Sequence, residues 1–202
     1  MANQVETIIN VQKENRNRRT VFFRGILVTP VFIYICSFSQ LMHWGSSSAL
    51  LTLPVVLTLV FRGVYPSYAL TFNHAILELV TRFSTYVLFL TDDYPSIERN
   101  NAVSISFPEV EGGKRLSRWK PIFKFIFAIP LAIVGVLYSI ATIVLSIFAW
   151  LHILFTGKYP EPVLNIAVGT IKFWNRVIGY AAILVRSEEH TSELQSRETI
   201  SY

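Results

Sequence analysis

Residues Pro121–Phe155 read PIFKFIFAIPLAIVGVLYSIATIVLSIFAWLHILF, and the one formal charge in the stretch is Lys124. An uninterrupted apolar run above about 18 residues is the signature of a membrane-spanning helix. As one helix this run would be about 52 Å long, against a hydrocarbon core of about 30 Å. Two readings fit that excess. The run folds back on itself as a tight hairpin of two short spans, or it stands as one tilted helix whose first turns lie along the interface.

A second run lies upstream. Val21–Phe61 carries Arg24 as its only formal charge, and His43-Trp44-Gly45-Ser46-Ser47-Ser48 interrupts it with turn-forming residues. That interruption favours the hairpin reading for both runs. The whole chain is 52% hydrophobic and 15% charged. Soluble domains carry about a quarter charged residues, so the composition argues for a polytopic integral membrane protein.

Each run ends in nearly the same words. Phe61–Pro66 is FRGVYP and Phe155–Pro160 is FTGKYP. At an offset of 94, Gly63, Tyr65, Pro66, Arg82 and Tyr86 fall on Gly157, Tyr159, Pro160, Arg176 and Tyr180. A fixed offset over a helix length signals duplication. In each turn Gly allows unusual backbone angles, and Pro stops one helix and starts the next. Short alternating segments precede both runs: Val5, Thr7, Ile9, Val11 and then Val103, Ile105, Phe107. Period-two β-branched residues suggest strands.

The expected architecture is therefore all-α integral membrane: a tandem duplication with about four transmembrane helices, two amphipathic interfacial helices and short cytoplasmic β segments. Residues 1–95 form the first membrane repeat and 96–185 the second. The tail 186–202 is set apart. Its start, RSEEHTSELQS, resembles the in-frame translation of a sequencing-library adapter and is expected to be non-native and disordered. Lys13, Arg16, Arg18 and Arg19 before the first run, and Lys114, Arg115, Arg118 and Lys120 before the second, place both linkers in the cytoplasm by the positive-inside rule. Both copies would then enter from the same side, with the N-terminus cytoplasmic. Topology accounts for the net charge of +5, so no nucleic-acid partner is implied.

The helices after the two turns are amphipathic. His74, Glu78 and Arg82 share one face of the first, and Lys172, Asn175 and Arg176 one face of the second. Arg82, Arg176 and Lys172 are candidates for lipid-headgroup contact. The trio His74, Glu78, Arg82 reads as a proton or ligand relay, or as a solvated helix face. Asp92 and Asp93, beside Tyr94-Pro95, read as loop-shaping residues. The lone Cys36 sits in an apolar run, which excludes an internal disulfide. The spacing of His, Cys and acidic residues suggests neither a metal site nor a cofactor, and no nucleophile has an evident base.

The order of Ala128-Ile129-Pro130, Ala149-Trp150, the FTGKYP turn and Trp174-Asn175-Arg176, with Thr91-Asp92-Asp93-Tyr94-Pro95 closing the first copy, resembles a family of bacterial integral membrane proteins, domain of unknown function 4389. The resemblance runs over roughly residues 18–185. It implies membrane class and duplication in two tandem copies, and no activity. The chain departs from the pattern after Leu184, where a second T-D-x-Y-P phrase is expected. The resulting expectation is a non-enzymatic scaffold or interaction subunit of the bacterial inner membrane, touching membrane lipids and unidentified protein partners. The alternative is a small transporter or lipid-handling subunit.

Overall fold

The computed structural model describes residues 5–40, 52–62, 66–98, 102–107 and 120–181. They are mostly helical. The order is β1 (Glu6–Ile9), α1 (Arg18–Leu27), α2 (Thr29–Gln40), α3 (Thr52–Arg62), α4 (Ser67–Val87), β2 (Val103–Ser106), α5 (Lys120–Thr156) and α6 (Glu161–Ala181). Both expected strands form, and they pair antiparallel with Thr7 opposite Ile105. Val103 and Ile105 are buried while Ser104 and Ser106 are exposed, which is the alternation that marked them in the sequence.

Asn17 starts α1 by accepting the backbone N–H groups of Arg19 and Thr20 at 3.1 and 3.4 Å. Such a side chain satisfies donors that a helix start leaves open. Val28 marks the step into α2, and Arg18–Ser37 is long and apolar enough to cross a membrane. So is Phe127–Thr156. These are the two candidate spans among the described residues.

The fold-back expected within Pro121–Phe155 does not occur. α5 is one continuous helix with Pro130 inside it. A proline there removes one backbone hydrogen bond, but a reversal also needs residues that leave helical angles, and the surrounding run has none. The corresponding interruption in the first copy, His43–Ser48, lies outside the described residues. The reversal comes instead at the FTGKYP turn, where Gly157 takes φ +74°. After it α6 runs back along α5. Thr142 and Thr170 share a hydrogen bond of 2.7 Å, and Trp174 Nε1 donates to Ser139 Oγ at 2.8 Å.

The inner side of α5 is a stripe of Ala128, Gly135, Thr142, Ser146, Ala149 and Ile153, all buried. A Cβ added at Gly135 would meet Trp174 at 2.9 Å, so that position must stay small. A second side of α5 faces outward: Phe127, Ile133, Leu137, Ile140, Ile143, Ile147 and Phe155 are each more than half exposed. Small residues and hydroxyl bonds at the seam, with large apolar groups outside, are how helices pack in lipid.

Two apolar clusters bind the halves together. One joins Val5, Val55, Ala69, Ile76 and Leu77 to Val103 and Ile105 of β2. The other joins Val21 and Leu90 to Ala149, Ile153, Tyr159, Leu164 and Ala167. Val21 meets the end of α5, whereas Gly25 and Val28 lie by Ile143 and Ile147 further back. α1 and α5 therefore run in opposite directions, where entry of both from one side would have made them parallel.

Candidate functional site

Among the described residues, buried charge is concentrated where α1 begins and α4 ends. α4 closes with Leu90 N donating to Thr85 O at 2.9 Å, across Phe89 at φ +61°. This is the bonding of a Schellman ending, which usually employs glycine at the left-handed position. A side chain there costs about 1–2 kcal/mol. The unusual angles aim the Phe89 carbonyl at Arg16, whose Nη2 donates to it.

Asp92 comes shortly after this turn and collects the neighbouring donors. Arg24 Nη2 donates to Asp92 Oδ1 at 2.7 Å, and Arg16 Nη1 stands 3.5 Å from the same oxygen. The Asn17 backbone N–H donates to Asp92 Oδ2 at 2.9 Å. Arg24 also donates to Tyr86 O at 2.7 Å and lies 4.2 Å over the Tyr86 ring. Both arginines are buried, at 5% and 2% exposure. Two guanidinium groups share one oxygen of Asp92, and Asp93 adds negative charge beside Arg16. Buried charges of this kind hold only while paired and hydrogen-bonded.

The FTGKYP turn between α5 and α6 seals the cluster. Tyr159 N donates to Lys13 O at 3.1 Å, its hydroxyl donates to Leu88 O at 3.0 Å, and Arg16 N donates to Gly157 O at 3.4 Å. Outside it, Lys158 Nζ lies 3.0 Å from Glu14 and Lys13 Nζ 3.4 Å from Glu161. Burial lowers Arg16 to about 10, with Asp92 opposing, and raises Tyr159 to about 12, with Arg16 opposing. At neutral pH Arg16 stays charged and Tyr159 stays neutral.

The helix-face residues singled out in the sequence lie apart from this cluster. His74 Nε2 lies 2.6 Å from Ile105 O and 3.6 Å from Glu78 Oε1, and Ile105 N donates to Glu78 at 3.5 Å. The pair thus holds β2 by both peptide groups of Ile105. Arg82 is 3% exposed and donates to Ile97 O at 3.4 Å. Glu78 and Arg82 are therefore inside the protein, where a solvated face would have left them outside. Lys172 is half-buried and Arg176 exposed, on an outer stripe of α6 with Glu161 and Asn165.

Asn175 is buried, accepting from Thr81 Oγ1 at 3.1 Å and donating to Thr7 Oγ1 at 3.0 Å. Of the repeated turn residues, Gly157 and Tyr159 build the seal. Pro160 O accepts the Leu164 N–H at 3.1 Å at the start of α6, and Pro66 caps the start of α4. Gly63 and Tyr65 lie outside the described residues.

Sequence reading gave Arg16 and Arg24 a topological role and missed the cluster. Arg24, the only charge in its apolar run, was the available signal. Among the described residues no group of three His, Cys, Asp or Glu could hold a metal.

Neither the curated proteins nor the solved structures contain a match to this chain. The matched region has one copy of the family's domain, where the sequence suggested two in tandem. Residues 118–188, which include all of α5 and α6, match the family model described as Domain of unknown function (DUF4389), and this supports that family for this part of the chain.

Proposed function

We propose that the chain is a non-enzymatic scaffold or interaction subunit embedded in the bacterial cytoplasmic membrane. The observation that carries this is α5. Only 17% of the most apolar window in Phe127–Thr156 is buried within the protein, and large apolar side chains cover the remainder. In water such a surface would far exceed the few hundred Å² that soluble proteins expose. Arg18–Ser37 has the same character.

In this reading α1–α2 and α5 cross in opposite directions. Lys13, Arg18, Arg19 and Lys158 gather where the first begins and the second ends, and we place that end in the cytoplasm. α4, α6 and the ribbon form a polar layer against the spans. The outer stripe of α6, with Lys172 and Arg176, meets lipid headgroups or a protein partner. The tandem duplication is supported by two contacts. Thr81 and Asn175, which are 94 apart, bond to each other, and Thr7 faces Ile105 in the ribbon, the pairing expected of equivalent strands.

Two experiments test this. Alkaline carbonate should leave the chain in the membrane pellet; release into the supernatant would refute the membrane assignment. Single cysteines placed on a Cys36→Ser background then read the crossings. Two opposed spans put the linker before α5 on the outer face, against the positive-inside reading of Lys114, Arg115, Arg118 and Lys120, so Lys114→Cys should react with an impermeant reagent in intact cells. Protection would mean that the chain recrosses, as four crossings require.

A further inference from the structure

We infer that the groove between α1, the end of α4 and α5 holds one acyl chain of an anionic phospholipid, with the lipid phosphate at Arg24. The inference rests on the membrane reading above. The groove has a volume of about 400 Å³ and is walled by Phe22, Gly25, Leu88, Ile143 and Trp150. That volume lies in the range of about 300–1,000 Å³ typical of small-molecule sites. Phe22 and Ile143 are each about 60% exposed, so the groove is continuous with the lipid-facing surface.

Two observations point to an anionic occupant. Arg24 is the only charged residue in the wall, and its Nε has no hydrogen-bond partner among the described residues, although it is 98% buried. A buried donor left open is costly, and an acceptor brought in by a ligand removes that cost. Arg24 also shares one oxygen of its carboxylate, Asp92, with Arg16. The third observation concerns space. A Cβ added at Gly25 meets nothing within 4 Å, which leaves the helix wall open to a chain lying along it. An apolar slot ending at a guanidinium with an open Nε complements a lipid that carries a phosphate and no balancing cation.

The test uses the full chain, purified in neutral detergent, delipidated and examined by native mass spectrometry. Phosphatidylglycerol, phosphatidylcholine and inorganic phosphate are the added probes. Expected is one bound phosphatidylglycerol, favoured over phosphatidylcholine by about tenfold and not displaced by phosphate. Gly25→Leu fills the slot without touching the charge cluster, and leucine favours the helix, so the variant should fold. It should lose about tenfold in phosphatidylglycerol retention, while Gly25→Ala keeps it. Equal binding of the two lipids, retention by Gly25→Leu at the wild-type level, or displacement by phosphate would each overturn the inference. These outcomes are read on protein already shown to be membrane-integral, so they are separate from a failure of the carbonate test.

Discussion

Arg82 and Arg176 stand at matching positions of α4 and α6, yet one is 3% exposed and the other lies on the surface. The difference lies in the chain downstream of each helix. After α4 the chain turns through Phe89, binds Asp92 to Arg16 and Arg24, and lays the Ile97 carbonyl on Arg82. The residues downstream of α6 lie outside the described residues. The same residue at the same helical position is thus a structural core group in one half and a surface cation in the other. A repeated arginine does not by itself identify a repeated site.

The variants most useful for breaking this comparison are ordered by expected size. Asp92→Ala removes the carboxylate that closes the first half and leaves two buried guanidinium groups facing each other. A loss of about 3–5 kcal/mol is expected, read as a lowered unfolding temperature in detergent. A loss below about 1 kcal/mol would mean that the cluster does not close the first half. Gly135→Leu drives a side chain into Trp174 and should separate α6 from α5 at a cost of about 3 kcal/mol, seen as faster proteolysis within α6.

Arg82→Gln should cost about 1.5–3 kcal/mol, as for loss of a buried charged hydrogen bond, while Arg176→Gln should stay within about 0.5 kcal/mol of wild type. Equal effects of these two changes would erase the distinction between the halves. Asn175→Ala removes the donor to Thr7 Oγ1 and the second acceptor of Thr81, whose hydroxyl keeps Leu77 O, and should cost about 1 kcal/mol. If Asn175→Ala is neutral, the contact between the equivalent positions contributes nothing to holding the halves together.

Much of the fold was legible. Hydropathy marked both candidate spans, alternation marked both strands, and the Gly-x-Tyr-Pro phrase marked the real reversal at Gly157. The false fold-back came from treating length as a reason to break a helix. A helix may exceed the bilayer, and α5 has no residue that would end it. The interior of the polar faces was not legible for a different reason. Periodicity shows that Glu78 and Arg82 share a side of α4, but a polar stripe facing water and one facing a β-ribbon have the same spacing. The Arg16–Arg24–Asp92 cluster joins residues about seventy positions apart, and only the three-dimensional path of segment 88–98 brings them together.

The interlock between the N-terminal segment and the FTGKYP turn is the feature on which the two halves depend, and one measurement tests it directly. Glu14 and Lys158 are exposed and 3.0 Å apart at their charged ends. On a Cys36→Ser background, Glu14→Cys and Lys158→Cys together should form an intramolecular disulfide under mild oxidation of intact membranes, and both should be shielded from an impermeant thiol reagent in whole cells. No cross-link, with Lys158→Cys labelled from outside while Glu14→Cys is not, would place the two segments on opposite faces and contradict the interlock.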